Sequence, residues 1–152
     1  MKKTLQIILG LIALGFLIII VKENFFTSAE TKSYNEGWEA YEKQQYELAV
    51  FHLNHVNQEK YPDVSVALGS SYLKLGNYNE AITYLKKAYD KGYGKGSPDY
   101  DKILNSLGIA YMNVKEFSKA RDLLQQADKL GNPMSKHNLQ VLDSLEQIRS
   151  LE

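Results

Sequence analysis

His52, His55 and Glu59 stand at i, i+3 and i+7 in a stretch whose spacing predicts a helix, so they share a face and offer nitrogen and oxygen ligands to a metal. One element supplies all three, and no further side chain completes or orients the set, so a solvated helix face is the expectation. The stretch GYGKGSP, Gly92 to Pro98, is the other place where chemistry could sit, because glycines beside a lysine can cradle a phosphate. Such loops leave a strand and enter a helix, so that backbone amides and the helix N-terminus meet the phosphate. Here a helix precedes the glycines, and Lys95 stands one position too early for Gly-Lys-Ser. The stretch is expected to connect two packed units, its glycines ending one helix and Ser97-Pro98 starting the next. No G-x-S-x-G elbow accompanies the serines, and the pair Asp99 and Asp101 is ordinary for a loop. No catalytic, cofactor-binding or metal-ligating residue is therefore assigned, and no enzyme activity is expected.

Composition narrows the partners. The absence of cysteine excludes disulfides, thiolate catalysis, thiolate metal sites and a lipidated cysteine anchor. From Lys22 onward the chain holds 16 Lys and Arg against 18 Asp and Glu, with no basic run. Nucleic-acid binding draws on a basic face that neutralises phosphates, so nucleic acid is not an expected partner.

The N-terminus predicts a membrane segment. Met1-Lys2-Lys3 precedes the apolar run Thr4 to Val21, which as a helix is about 27 Å long, close to the hydrocarbon thickness of a bilayer. Lys2 and Lys3 on one side against Lys22 on the other place the N-terminus in the cytoplasm and the remainder outside, periplasmic or at the cell surface. Phe25 and Phe26 would lie at the interface. Thr27-Ser28-Ala29 offers small residues for signal-peptide cleavage, which would make the protein secreted; the length of the apolar run and the intervening Lys22-Glu23 favour a retained anchor.

The rest of the chain repeats. Ser65-x2-Leu68-Gly69-x2-Tyr72, then Ala81 and Leu85, recurs as Leu104-x2-Leu107-Gly108-x2-Tyr111, then Ala120 and Leu124. Gly37, Ala49 and Leu53 form a weaker upstream copy, and an aromatic residue precedes each alanine by three, as Tyr46, Tyr78 and Phe117. Apolar residues at helical spacing on either side of Gly76-Asn77 describe a helical hairpin. Gly69 and Ala81 are small where two helix backbones approach closely. The pattern resembles the tetratricopeptide repeat, with Ser33, Ser65 and Leu104 standing where that family has its first aromatic residue. The resemblance implies an all-α solenoid of helical hairpins, here three repeats and a C-terminal capping helix behind a single transmembrane helix. The expected division is 1–22 as signal-anchor, 23–29 as juxtamembrane linker, 30–134 as the repeats (30–61, 62–95 and 101–134) and 135–152 as the cap. Asn132-Pro133 is read as the cap's N-terminus, followed by the apolar stripe Val141, Leu142, Leu145 and Ile148.

In this family the first helix of each repeat lines a concave groove. Carried over by position, the resemblance points to Tyr34, Trp38, Tyr41, Val66, Ser70, Leu73, Lys74, Asn105, Ile109 and Met112, with Glu42, Asp63, Lys102 and Asn113 at further positions of the same helices. Tyr34 and Trp38 occupy places where the family's clamp for a C-terminal carboxylate would need lysine and asparagine, so an apolar or mixed peptide is the expected ligand. The alternative is that Trp38 and Tyr41 fill the junction with the anchor or are covered by a neighbouring subunit. The function implied is a membrane-anchored protein-binding scaffold that serves an envelope complex, with a self-associating spacer as the rival. The third repeat starts 39 residues after the second rather than 34, and the five extra residues fall in GYGKGSP. They either relax the stacking of two hairpins or reach what the groove holds.

Overall fold

The computed structural model describes residues 2–25, 29–97 and 99–151, and within the first helix the side chains of residues 6–18. Thr27 and Ser28 of the cleavage motif, the Phe25 and Phe26 rings and Pro98 lie outside that description. Every regular element among the described residues is an α-helix: α1 (Lys2–Phe25), α2 (Ala29–Glu42), α3 (Tyr46–Leu53), α4 (Asp63–Lys74), α5 (Tyr78–Asp90), α6 (Tyr100–Asn113), α7 (Phe117–Lys129) and α8 (Ser135–Arg149). Among the described residues no helix is long and apolar enough to cross a membrane. The described side chains of α1 cover about 20 Å of helix, and the span expected from Thr4 to Val21 extends past them at both ends.

Helices α2/α3, α4/α5 and α6/α7 form three hairpins that follow from three matched glycines. A Cβ built on Gly37 would lie 2.5 Å from Leu53 Cδ2, one on Gly69 2.5 Å from Leu85 Cγ, and one on Gly108 2.8 Å from Leu124 Cγ. At Gly69 the Leu85 backbone nitrogen is also only 2.9 Å away, so the helix axes themselves are close. Those three leucines are fully buried. The small residue of the first helix thus receives a leucine from the second, while Ala49, Ala81 and Ala120, also fully buried, lie one turn before it.

Each hairpin turns through one left-handed residue: Gln44 at φ 59°, Gly76 at φ 76° and Lys115 at φ 64°. The next residue donates its N–H back across the turn, Gln45 to Ala40 O at 2.9 Å, Asn77 to Tyr72 O at 2.9 Å and Glu116 to Tyr111 O at 3.0 Å. This is a helix C-terminus closed by its own carbonyls, and it aims the following helix back along the first.

The hairpins then stack in order, α3 on α4, α5 on α6 and α7 on α8. Buried clusters bridge the joints: Leu53 with Val64 and Leu68, Leu85 with Leu104 and Leu107, and Leu124 with Met112 and Leu142. Helix α8 closes the far end with Leu142, which is fully buried, while Arg121 of α7 reaches Asp143 and Glu146 of α8 at 2.6 Å each. The helix begins at Ser135 rather than at Pro133, because the Asn132 amide is drawn to Asp101 Oδ2 at 2.8 Å and its Oδ1 accepts the Met134 N–H at 3.0 Å.

Candidate functional site

The first helices of the hairpins, α2, α4 and α6, share a concave side that holds a cleft of about 560 Å³. Of the residues expected in the groove, Trp38, Tyr41, Val66, Ser70, Leu73, Lys74, Asn105 and Ile109 line it, together with Asp63 and Lys102. They come together because α2, α4 and α6 succeed one another in the stack, so equivalent turns of each helix face one hollow.

Tyr34 sits behind this lining. Its ring meets Trp38 edge-on with centroids 6.2 Å apart, and its hydroxyl donates to Asp63 Oδ2 at 2.6 Å. That bond, with burial, pushes the Tyr34 phenol up to about 12. Trp38 packs edge-on against Tyr41 at 5.5 Å, and both rings rest on the first-repeat core while one side of each faces the cleft. The buried Trp38 Nε1 has no hydrogen-bond partner among the described residues.

Met112 does not line the cleft. It is 8 % exposed and packs with Phe117, Leu124 and Leu142, because α8 covers the side on which it emerges. Asn105 lines the cleft with only 9 % of its surface exposed; its Oδ1 accepts Ser135 Oγ at 3.2 Å and Asn138 Nδ2 at 2.8 Å. The capping helix therefore forms one wall of the hollow, to which Met134 and Asn138 also contribute. Asn113 donates its amide to Ile109 O at 2.9 Å and, like Glu42, is not part of the lining.

Sequence reasoning missed Tyr93. It belongs to the glycine stretch and lines the cleft beside Asp99, while Lys95, Gly96 and Ser97 line a separate hollow of about 590 Å³ with Tyr100 and Leu130. Gly92, Gly94 and Gly96 take φ of 65°, 74° and 86°, left-handed values that coil the inserted residues tightly. Its signal in the sequence is a bulky ring set among glycines where the period lengthens. A phosphate cradle needs outward N–H groups, and here those of Gly92, Tyr93, Lys95 and Ser97 are spent on Tyr89 O, Ala88 O, Gly92 O and Gly94 O at 2.8–3.0 Å. Burial first, then Asp63 and Asp99, raises the Tyr93 phenol above its ordinary value.

The histidine face is dispersed. His52 is half-buried with Nδ1 3.2 Å from Glu36 Oε2, His55 Nδ1 lies 2.7 Å from Phe51 O, and Glu59 is paired with Lys91 and with Lys87 at 3.4 Å. Among the described residues no group of three such side chains is placed to hold a metal.

Residues 63–127, which span α4 to α7, match the sequence pattern of the tetratricopeptide repeat. They belong to the tetratricopeptide-repeat family. A Drosophila melanogaster protein described as "Tetratricopeptide repeat protein 19 homolog, mitochondrial" is 34 % identical over 65 residues, which is 41 % of this chain and 18 % of that relative. The chain thus spans under a fifth of the length of the curated relative it matches. Helices α2 and α3 lie outside the matched residues, yet Gly37 meets Leu53 as the glycines of the two tetratricopeptide repeats meet their leucines.

Proposed function

We infer that this protein is a single-pass membrane scaffold with no catalysis of its own, whose tetratricopeptide repeats hold a peptide segment of a partner protein in the concave cleft. One observation carries the binding reading: the half-buried rings of Trp38, Tyr41 and Tyr93 converge with Leu73, Ile109 and Val66 on one hollow assembled from three hairpins and the inserted loop. Rigid aromatic and aliphatic groups of this kind anchor peptides in grooves. The membrane reading rests on the apolar run from Thr4 to Val21 inside the 24-residue helix α1, where Ile7, Leu11, Leu14 and Ile18 are exposed. Basic residues at its start favour a cytoplasmic N-terminus and repeats on the far side, in an envelope complex.

A Trp38→Ala/Leu73→Ala double variant tests the binding reading. It is expected to keep its helicity and lose partners captured through a photoreactive residue placed at Ile109 in native membranes; a folded variant that retains all of them defeats the reading. Carbonate extraction and the mass of the mature chain test the anchor. Release into the supernatant, or a chain beginning after Ala29, would show a secreted protein.

A further inference from the structure

Four charged side chains line the cleft: Asp63, Lys74, Asp99 and Lys102. Asp99 and Lys102 neutralise each other at 2.7 Å. Asp63 and Lys74 make no ion pair among the described residues; Asp63 accepts only the Tyr34 hydroxyl. The two unpaired charges stand at opposite ends of α4, eleven residues and hence about 16 Å apart along its axis. Between them Val66, Leu73 and Ile109 supply an apolar floor, interrupted by Ser70.

The two ends differ in chemistry. An acidic residue in the first turn complements the helix dipole, which accounts for a carboxylate at Asp63 but not for the rings gathered around it. Tyr34 is bonded to it, Trp38 packs on Tyr34, and Tyr93 arrives from the inserted loop to line the same hollow. Phenol and indole faces beside an unpaired carboxylate suit a cationic side chain, which gains from the carboxylate and from the negative faces of the rings. The raised phenols of Tyr34 and Tyr93 report the same negative potential, since both are held in the neutral form in part by Asp63. At the other end Lys74 is exposed and offers three donors to an acidic group.

We propose that the cleft selects an extended peptide of opposite end charges, with an arginine or lysine side chain seated at Asp63 among Trp38 and Tyr93 and a carboxylate about four residues away at Lys74. An extended chain advances about 3.3 Å per residue and carries every second side chain on one face, so four steps cover about 13 Å of the 16 Å on the same face, and the long side chains of the peptide's cation and of Lys74 span the remainder. Small apolar residues between them rest on the aliphatic floor. Specificity of this kind comes from charge placement, with most of the affinity left to the apolar contacts. This rests on the peptide-binding reading given above.

The test uses the full chain in mild detergent, with the fluorescence of Trp38, the only tryptophan, as the signal. The probes are blocked pentapeptides Arg-X3-Glu and Glu-X3-Arg, with X drawn from Leu, Ile, Ala and Ser, and the same peptides with Gln in place of Arg or of Glu. One of the two orders is expected to bind. Replacing its arginine by glutamine should weaken binding about tenfold on the native protein and leave it unchanged on Asp63→Asn, which keeps an acceptor for Tyr34. Lys74→Gln, on an exposed position, should in the same way erase the dependence on glutamate, and it serves if Asp63→Asn does not fold. Binding that is abolished by Leu73→Asp but indifferent to the peptide charges, or equally sensitive on native and variant proteins, overturns this proposal and leaves the groove standing. No binding of any peptide in the series overturns both.

Discussion

Gly69 shows how much one atom decides. Its missing Cβ is the space that Leu85 occupies, so Gly69→Ala must push the hairpin open and is expected to cost about 1–3 kcal/mol, read as a lower denaturant midpoint with unchanged slope. Retention of wild-type stability would mean the two helices can slide apart freely. Tyr34 carries a pH prediction. Its phenol is raised from 10.0 to about 12, so the neutral, donating form is favoured in the fold; the stability it lends is whole below pH 10 and is lost as pH rises through about 12. Tyr34→Phe should therefore show a smaller fall in urea midpoint between those values than the native protein, and an equal fall would assign the alkaline loss to other groups. The glycine positions were legible in the sequence because close approach demands a small residue at a fixed depth. The partner of His52 was not, since Glu36 lies on another helix and nothing local marks it.

Each hairpin turn places its second residue in the left-handed region, and only one of the three is glycine. Gln44 and Lys115 bear a Cβ there at a cost, so Lys115→Gly is expected to stabilise the protein by about 0.5–1 kcal/mol in thermal or urea unfolding. A loss of stability would show that the Lys115 side chain contributes more than its backbone costs. The capping helix is held by polar groups as much as by Leu142. Asn105→Ala leaves Asn138 without its acceptor in a nearly buried site, and a loss of about 1–3 kcal/mol is expected, with faster hydrogen exchange in α8 than in α4. Uniform acceleration over all helices would contradict a local role. The existence of α8 was readable from the stripe Val141, Leu142, Leu145 and Ile148. The contact that anchors its start was not, because the capture of Asn132 by Asp101 joins residues 31 apart.

Taken together, the hairpins form a chain of neighbours in which each unit is buried by the next, so stability should fall toward the ends. Native-state hydrogen exchange is expected to protect α4 and α5 most and α8 least; equal protection throughout would mean one indivisible core. The sequence was enough to establish paired helices, the small residues at their crossings, the number of hairpins and the place where the period lengthens, because these are set by spacing within a few turns of chain. The resemblance to the repeat family also pointed to most of the cleft lining, residues on equivalent turns of α2, α4 and α6. Three matters were settled only in three dimensions: that Tyr93 turns into the cleft, that Met112 turns out of it, and that Asn105 is held by α8. In each, a side chain's surroundings come from a helix or loop tens of residues away, and burial depends on which surfaces meet, a property that local periodicity does not encode.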